Sequence, residues 1–248
     1  MTKGVILAGG LGTRLYPLTH ATNKHLLPIY DRPMVFYPID TLIRAGIHDV
    51  LIVIGGPHAG HFVSVLRNGR DLGVRHLEFA YQAKEGGIAE ALSLAEDFAD
   101  GDSIAVILGD NTTDTDISEA VSGFGEGAMV FLKKVPDPQR FGVPTFDPSD
   151  TARITRITEK PEHPESDYAV TGLYLYDSRV FDFIRELRPS GRDELEITDI
   201  NNRYLRLGQL RWAELSGYWR DAGTFDTLLE ANTYWASKRS DASATALD

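Results

Sequence analysis

Residues 4–19 read GVILAGGLGTRLYPLT. A β-branched apolar run, Val5 to Ala8, stops at Gly9 and Gly10, and Gly12, Thr13 and Arg14 follow. A strand that ends in glycines lets an anionic group approach backbone N–H groups, and a planar guanidinium two residues later suits phosphate oxygens. Two familiar phosphate loops do not fit. The dinucleotide fingerprint requires glycine where Leu15 stands, and the Gly-Lys pair of the Walker A loop occurs nowhere in the chain. The plain alternative is a turn joining the first strand to a helix.

The runs that follow give the fold class. VLIVIG (50–55) and SIAVILG (103–109) are apolar at nearly every position, as in strands covered on both faces. VRHLEFA (74–80) is a further strand. Helical patterns over 34–46 and 88–98 lie between them, the first ending at Gly46. This βαβα rhythm predicts an α/β fold: a doubly wound, mostly parallel mixed sheet with helices on both faces, Rossmann-like. Beyond residue 127 the pattern predicts strands at 128–135, 152–161 and 168–177, loops over 136–150, and helices over 178–187, 198–208 (N-cap Thr198) and 224–238. Gly172 inside its strand marks a close approach by another backbone or a ligand. One domain over 1–240 is expected, with a nucleotide-binding half over about 1–110, an elaborated second half over 111–235, and a frayed tail at 239–248.

Composition narrows the function. The chain has 248 residues, no cysteine and a formal net charge of −11. Disulfides and thiolate metal sites are excluded, and general nucleic-acid binding is disfavoured. The N-terminal apolar run is too short for a signal peptide, and no run approaches a membrane span, so a cytoplasmic address is expected with no membrane partner. A polyanionic substrate would need a local cluster of cations working against the global field.

The ordered motifs answer that need. LAGGLGTRLYPLT, NKHLLP, LGDN (108–111), RFGV (140–143), ITEKP (157–161), YAVTGLYLYD (168–177), ELEITDIN (194–201) and RDAGTF (220–225) run through residues 3–235. Together they resemble the sugar-1-phosphate nucleotidyltransferases, most closely the short-form glucose-1-phosphate thymidylyltransferase branch. The resemblance implies attack of the phosphate of glucose 1-phosphate on the α-phosphate of dTTP, giving dTDP-glucose and pyrophosphate. The protein's task is then to hold two polyanions in line and neutralise them.

By that resemblance Leu7, Gly9, Gly10, Gly12 and Thr13 lie under the nucleotide, Arg14 grips the triphosphate, and Lys24 bridges oxygens near the α-phosphate. Asp110 and Asp221 hold Mg²⁺, a hard cation content with two carboxylates plus phosphates and water. Asn111, Gly142, Glu159, Lys160, Val170 and Arg192 belong to the sugar phosphate, and Gln82 and Gly87 to the base. Taken singly, the aspartates also read as turn or cap residues, Lys24 as a solvated lysine, and Glu159–Lys160 as an exposed pair. A glutamine amide meets thymine and uracil alike, and cytosine if flipped, so Gln82 leaves the pyrimidine open. The remaining readings are the same reaction with UTP, CTP or another sugar phosphate, a non-catalytic nucleotide-sugar-binding subunit, and an oxidoreductase lacking its fingerprint.

Three departures from the family pattern stand out. Glu90 replaces a glutamine and reads as a capping-box acid or as a change in substrate preference. Asp193 replaces a glycine beside Arg192, where it could pair with that arginine. TTDTD (112–116) replaces a more apolar stretch. The family also implies a homo-oligomer, often a tetramer. The chain's end soon after Trp235 predicts an incomplete version of the allosteric nucleotide site of longer members.

Overall fold

Four parallel strands carry the architecture, and their side chains alternate between two cores. In the computed structural model, which describes residues 1–245, β1 (Thr2–Ala8) is followed by the two-residue strands β2 (Pro28–Ile29) and β3 (Arg32–Pro33), helix α1 (Phe36–Arg44), β4 (Asp49–Gly55), α2 (Ala59–Leu66) and β5 (His76–Gln82). Then come α3 (Ile88–Ser93), α4 (Glu96–Ala99), β6 (Ser103–Leu108), β7 (Asn111–Thr113) and α5 (Ser118–Ser122). The second half holds β8 (Ala128–Lys134), β9 (Gly142–Asp147), β10 (Asp150–Glu159), β11 (Tyr168–Tyr176), α6 (Val180–Arg185), α7 (Ile197–Arg206), β12 (Leu210–Glu214), β13 (Trp219–Asp221) and α8 (Phe225–Thr245).

The main sheet runs β10-β9-β11-β6-β1-β4-β5, with β8 beside β11 and β12 beside β8. β1 pairs in parallel with both β4 and β6, and β4 with β5, whereas β11 is antiparallel to β6. The expected doubly wound, mostly parallel mixed sheet is therefore what forms. Along β1, Val5 and Leu7 point into one core with Leu92, Phe181 and Ile200. Ile6 and Ala8 point into the other with Ile39, Leu42 and Phe62. Successive strand residues face opposite sides, so a strand buried on both faces must be apolar throughout, as 50–54 and 104–108 are. Each large aliphatic side chain fully buried this way contributes about 1.5–3 kcal/mol.

Several element boundaries differ from the sequence pattern. The helix predicted over 88–98 breaks into α3 and α4 around Leu94 and Ala95. The stretch 136–150, predicted as loops, contains a 3-10 turn at Pro138–Arg140 and all of β9, which pairs with β10 and buries Val143. Its prolines and glycine hid a strand that meets β11 through a single pair, Val170 with Gly142. Helix α7 starts at Ile197, before Thr198, whose hydroxyl donates to Glu159 Oε2 at 2.6 Å and does not cap the helix. Helix α8 continues past Lys238 to Thr245, into the stretch expected to fray; 246–248 lie outside the described residues.

One corner of the second half is tied by a buried carboxylate. Asp177 accepts from Gly127 N–H at 2.7 Å, Tyr204 OH at 2.7 Å and Arg179 Nε at 3.0 Å. Burial alone would raise its pKa, but the Arg179 and Tyr204 hydrogen bonds hold it below the usual carboxylate range. A carboxyl depressed in the folded state stabilises above its unfolded pKa, near 3.9, and loses that contribution as pH falls through the folded value. Asp177→Asn therefore should lower the melting temperature by several degrees at pH 7, since hydrogen bonds to a charged group contribute about 1.5–3 kcal/mol. In thermal unfolding series the gap to wild type should narrow below about pH 4, as the wild-type carboxyl protonates.

Candidate active site

The strand order sets where a ligand can sit. From β1 the chain moves outward through β4 to β5, then returns to β6 on the other side of β1. At such a switch point the loops leaving neighbouring parallel strands diverge and open a crevice at their C-terminal ends. Here that crevice is a cavity of about 450 Å³ lined by Leu7, Gly9, Gly10, Leu11, Gly12, Thr13 and Arg14 from the end of β1. Gln82 ends β5 with Glu85 and Gly87 beyond it, Leu108 ends β6 with Asp110 two residues on, Glu194 enters from before α7, and Asp221 ends β13. A larger groove, about 1170 Å³, runs between β10, α7 and β12. It touches Glu159 but none of the glycine loop, Arg14, Lys24 or the paired aspartates, so the chemistry argues for the smaller cavity.

After β1 the loop leads into short 3-10 turns, Thr13–Leu15 and then Leu18–His20, and not into an α-helix, so what it offers an anion is backbone N–H groups and side chains. Gly12 sits in the left-handed region at φ 69°, and a β-carbon there would lie 2.7 Å from Lys24 Cβ. Glycine is thus required both for the turn and for Lys24 to pass over it. Leu11 N–H donates to Glu85 Oε1 at 2.7 Å. Arg14 is exposed at the mouth, with no ion pair among the described residues, and is a free cation facing the cavity.

Lys24 begins a 3-10 turn whose preceding residue, Asn23, accepts from His25 N–H. Its ammonium lies 2.6 Å from Asp110 Oδ2. Asp110 also accepts from Asn111 Nδ2 at 3.0 Å. Burial would raise the Asp110 carboxyl, but Lys24 beside it wins and holds it well below the usual range. Adjacent His25 is buried and, through burial and then the Lys24 charge, is pushed down to about 3, so it stands as a neutral ring.

Asp110 and Asp221, far apart in sequence, meet because β7 and β13 pair with Asn111 opposite Asp221. Ala222 N–H donates to the Asp110 carbonyl at 2.8 Å. Gly223 lies between the two carboxylates: a β-carbon there would be 3.4 Å from Asp110 Oδ2 and 3.6 Å from Asp221 Oδ2. Arg140 Nη2 reaches Asp221 Oδ2 at 3.0 Å. Among the described residues Asp221 Oδ1 is buried with no hydrogen-bond partner. Burial first, then the Asp110 charge, push the Asp221 carboxyl up to about 6 against the pull of Arg140. Two convergent carboxylates with an unsatisfied oxygen and an under-compensated charge fit a hard divalent cation. Among the described residues no cluster of three or more His, Cys, Asp or Glu offers a metal cage, so the remaining ligands would have to come from substrate and water.

The residues expected at the sugar phosphate do not line this cavity. Glu159 Oε1 is 3.4 Å from Arg192 Nη2 and 3.7 Å from Lys160 Nζ, and Gly142 packs against Thr198 and Glu159. Arg192 turns to Glu196 at 2.8 Å, with Glu194 at 3.5 Å, while Asp193 stands in the left-handed region at φ 60°. Asp193 forms no ion pair with Arg192 among the described residues; aspartate tolerates the backbone that glycine usually supplies. Val170 is buried in the core. Asn111, expected at the sugar phosphate, is an internal strut: its Oδ1 accepts from Gly172 N–H at 3.0 Å and Trp219 Nε1 at 2.8 Å.

Three residues at or next to this cavity are not among those expected from the sequence. Arg140 sits inside the quoted RFGV motif and could have been found there; Glu85 and Glu194 give no local signal. Glu90 does not cap α3, whose first turn has no side-chain cap. It instead accepts a hydrogen bond from Gln82 Nε2.

A family model described as nucleotidyl transferase matches residues 3–238. A glucose-1-phosphate thymidylyltransferase of Neisseria meningitidis is 42% identical over 238 residues, covering 94% of this chain and 82% of that protein. One from Actinoplanes is 44% identical over 94% of this chain and 77% of its own length. Among solved structures, a Bacillus anthracis protein assigned as a glucose-1-phosphate thymidylyltransferase, crystallised with sucrose, superposes with a TM-score of 0.89 at 50% identity, covering 94% and 95% of the two chains. A UDP-glucose pyrophosphorylase structure shares the fold, with a TM-score of 0.85 at 23% identity.

Proposed function

This chain belongs to the nucleotidyl transferase family, and from that premise we propose that it joins the nucleotidyl group of dTTP to glucose 1-phosphate, releasing pyrophosphate. The observation that carries the reading is the convergence of Arg14, Lys24, Asp110 and Asp221 on one cavity at the end of the glycine loop. No protein nucleophile is needed, because the sugar phosphate oxygen attacks the α-phosphorus in line with the departing pyrophosphate. Arg14 meets the triphosphate at the mouth and compensates charge building on the leaving group. Lys24, held by Asp110, is aimed deeper, towards the α-phosphate. Glycines 9, 10 and 12 let the nucleotide lie against backbone N–H groups. Glu159 accepts from sugar hydroxyls, and Lys160 and Arg192 supply positive charge for the sugar phosphate, with Gly142 and Val170 shaping that side.

The family works with a divalent cation; Asp110 and Asp221 would hold Mg²⁺ here, where it would offset phosphate charge. The catalytic unit is one domain over residues 1–240, its nucleotide half ending near residue 110 and its sugar-phosphate half spanning 111–235. It acts in the cytoplasm as a homo-oligomer, in keeping with the family. Among the described residues no helix is long and apolar enough to cross a membrane.

A matrix of nucleoside triphosphates against sugar 1-phosphates, with Mg²⁺ and a pyrophosphate readout, tests this. The dTTP and glucose 1-phosphate pair should give the highest kcat/KM; no release from any pair would sink the proposal. Arg14→Ala, which removes a cation that holds nothing else in the fold, should cost about 10²–10³ in kcat/KM. Its melting temperature should stay within a degree or two of wild type, because the side chain is exposed.

A further inference from the structure

We propose that Glu90 is a specificity-positioning residue: it locks the side-chain amide of Gln82 in the one orientation that accepts thymine or uracil and rejects cytosine. This inference rests on the assignment of a pyrimidine nucleotide to the cavity and goes beyond it by naming what selects the base.

Gln82 ends β5, buried at the floor of the cavity. By itself an amide is ambiguous. Turned one way it presents an acceptor to N3–H and a donor to O4 of thymine or uracil; turned the other way it matches N3 and the amino group of cytosine. In this protein the ambiguity is removed from behind. Gln82 Nε2 donates to Glu90 Oε2. A carboxylate offers acceptors only, so the –NH₂ end must face Glu90. Reversing the amide would set its oxygen against the carboxylate.

The front of the amide agrees. Oε1 lies against Gly9, so closely that a β-carbon built on that glycine would collide with it. Among the described residues no protein donor hydrogen-bonds to Oε1, leaving it for the ligand. The second N–H of Nε2 remains for O4. A cytosine ring in the same place would put acceptor against acceptor at N3 and donor against donor at its amino group, and buried polar groups left unpaired in this way are strongly rejected.

Glu90 is itself fixed. It lies in the first turn of α3, whose start is clamped by Leu195 N–H to Gly86 O at 2.8 Å and Ala89 N–H to Leu195 O at 3.2 Å. A glutamine at position 90 would lose the one-way rule, because its own amide can donate or accept and so follow Gln82 through a flip.

The test is calorimetric binding of dTTP, dUTP and dCTP to wild type, Glu90→Gln and Glu90→Ala, paired with pyrophosphate release from each nucleotide and glucose 1-phosphate. Wild type should prefer dTTP and dUTP to dCTP by about 100-fold, in the range of a good bidentate base contact. In Glu90→Gln, dTTP should weaken severalfold while dCTP tightens, narrowing the ratio at least tenfold. Opposite signs for two nucleotides cannot come from a general packing defect. Should Glu90→Gln melt well below wild type, the same ratio in Glu90→Ala decides. Equal weakening of all three nucleotides, an unchanged ratio, or a wild type indifferent to the base overturns the role of Glu90. A wild type that discriminates in binding yet releases no pyrophosphate from dTTP and glucose 1-phosphate defeats the proposed reaction and leaves the base-selection claim standing.

Discussion

Asp110→Ala should lower kcat at least ~10³-fold, equivalent to about 4 kcal/mol of transition-state stabilisation. The size follows from how many functions end on this one carboxylate. It anchors Lys24 at 2.6 Å and receives Asn111 at 3.0 Å. It also faces Asp221 across Gly223. Without it Lys24 loses the partner that aims it, and a divalent cation at the two aspartates would lose one of its two carboxylates. Asp110→Asn keeps the volume and the Asn111 side intact but removes the charge. It should be nearly as inactive while melting closer to wild type, which separates charge from packing. Measured by pyrophosphate release at saturating substrate, turnover within tenfold of wild type in both variants would overturn the assignment of Asp110.

The second large effect is expected at Gly172→Ala. A β-carbon there would come 2.7 Å from Asn111 Oδ1 and 2.7 Å from Leu108 Cγ. Neither neighbour can retreat. Leu108 ends β6 in the sheet, and Asn111 Oδ1 is held by Gly172 N–H and Trp219 Nε1. Strand β11 is anchored on either side of Gly172, to β8 at Tyr168–Val170 and to both β6 and β8 from Tyr174 onward. The added methyl therefore pushes Asn111 aside, disturbing Asp110 on one side and the β7–β13 ladder that carries Asp221 on the other. Overpacking and broken buried hydrogen bonds together should cost about 2–4 kcal/mol, or roughly 5–15 °C in melting temperature. Activity should fall ~10–100-fold even below the transition, because the aspartate pair is displaced. Thermal unfolding and turnover at low temperature check the two parts separately.

Much of the fold was legible because burial on both faces leaves an unmistakable mark: nearly unbroken apolar runs at 50–54 and 104–108. β9 was not, since Pro144 and the turn residues around it mask a strand that meets its inner neighbour β11 through one pair. The site was legible in pieces. Gly9 to Arg14 carry their own physical reason, whereas the meeting of Asp110 with Asp221 depends on a three-residue ladder that no local pattern announces. The glycine inside β11 pointed to a nearby backbone or ligand, but what crowds Gly172 is the side chains of Asn111 and Leu108, which spacing alone could not name. Glu90 shows the same limit: a first-turn acid reads as a cap, and only the proximity of β5 to α3 gives it another partner.

The late pairing of β13 with β7 has a consequence for biosynthesis. A chain growing from its N-terminus has made every element of the glycine cradle and β6 by residue 110, yet Asp221 is still to be translated. At roughly 5–20 residues per second the second aspartate follows several seconds after the first. The cavity is therefore incomplete until Glu194, Asp221 and Gly223, the last of its lining, have been made.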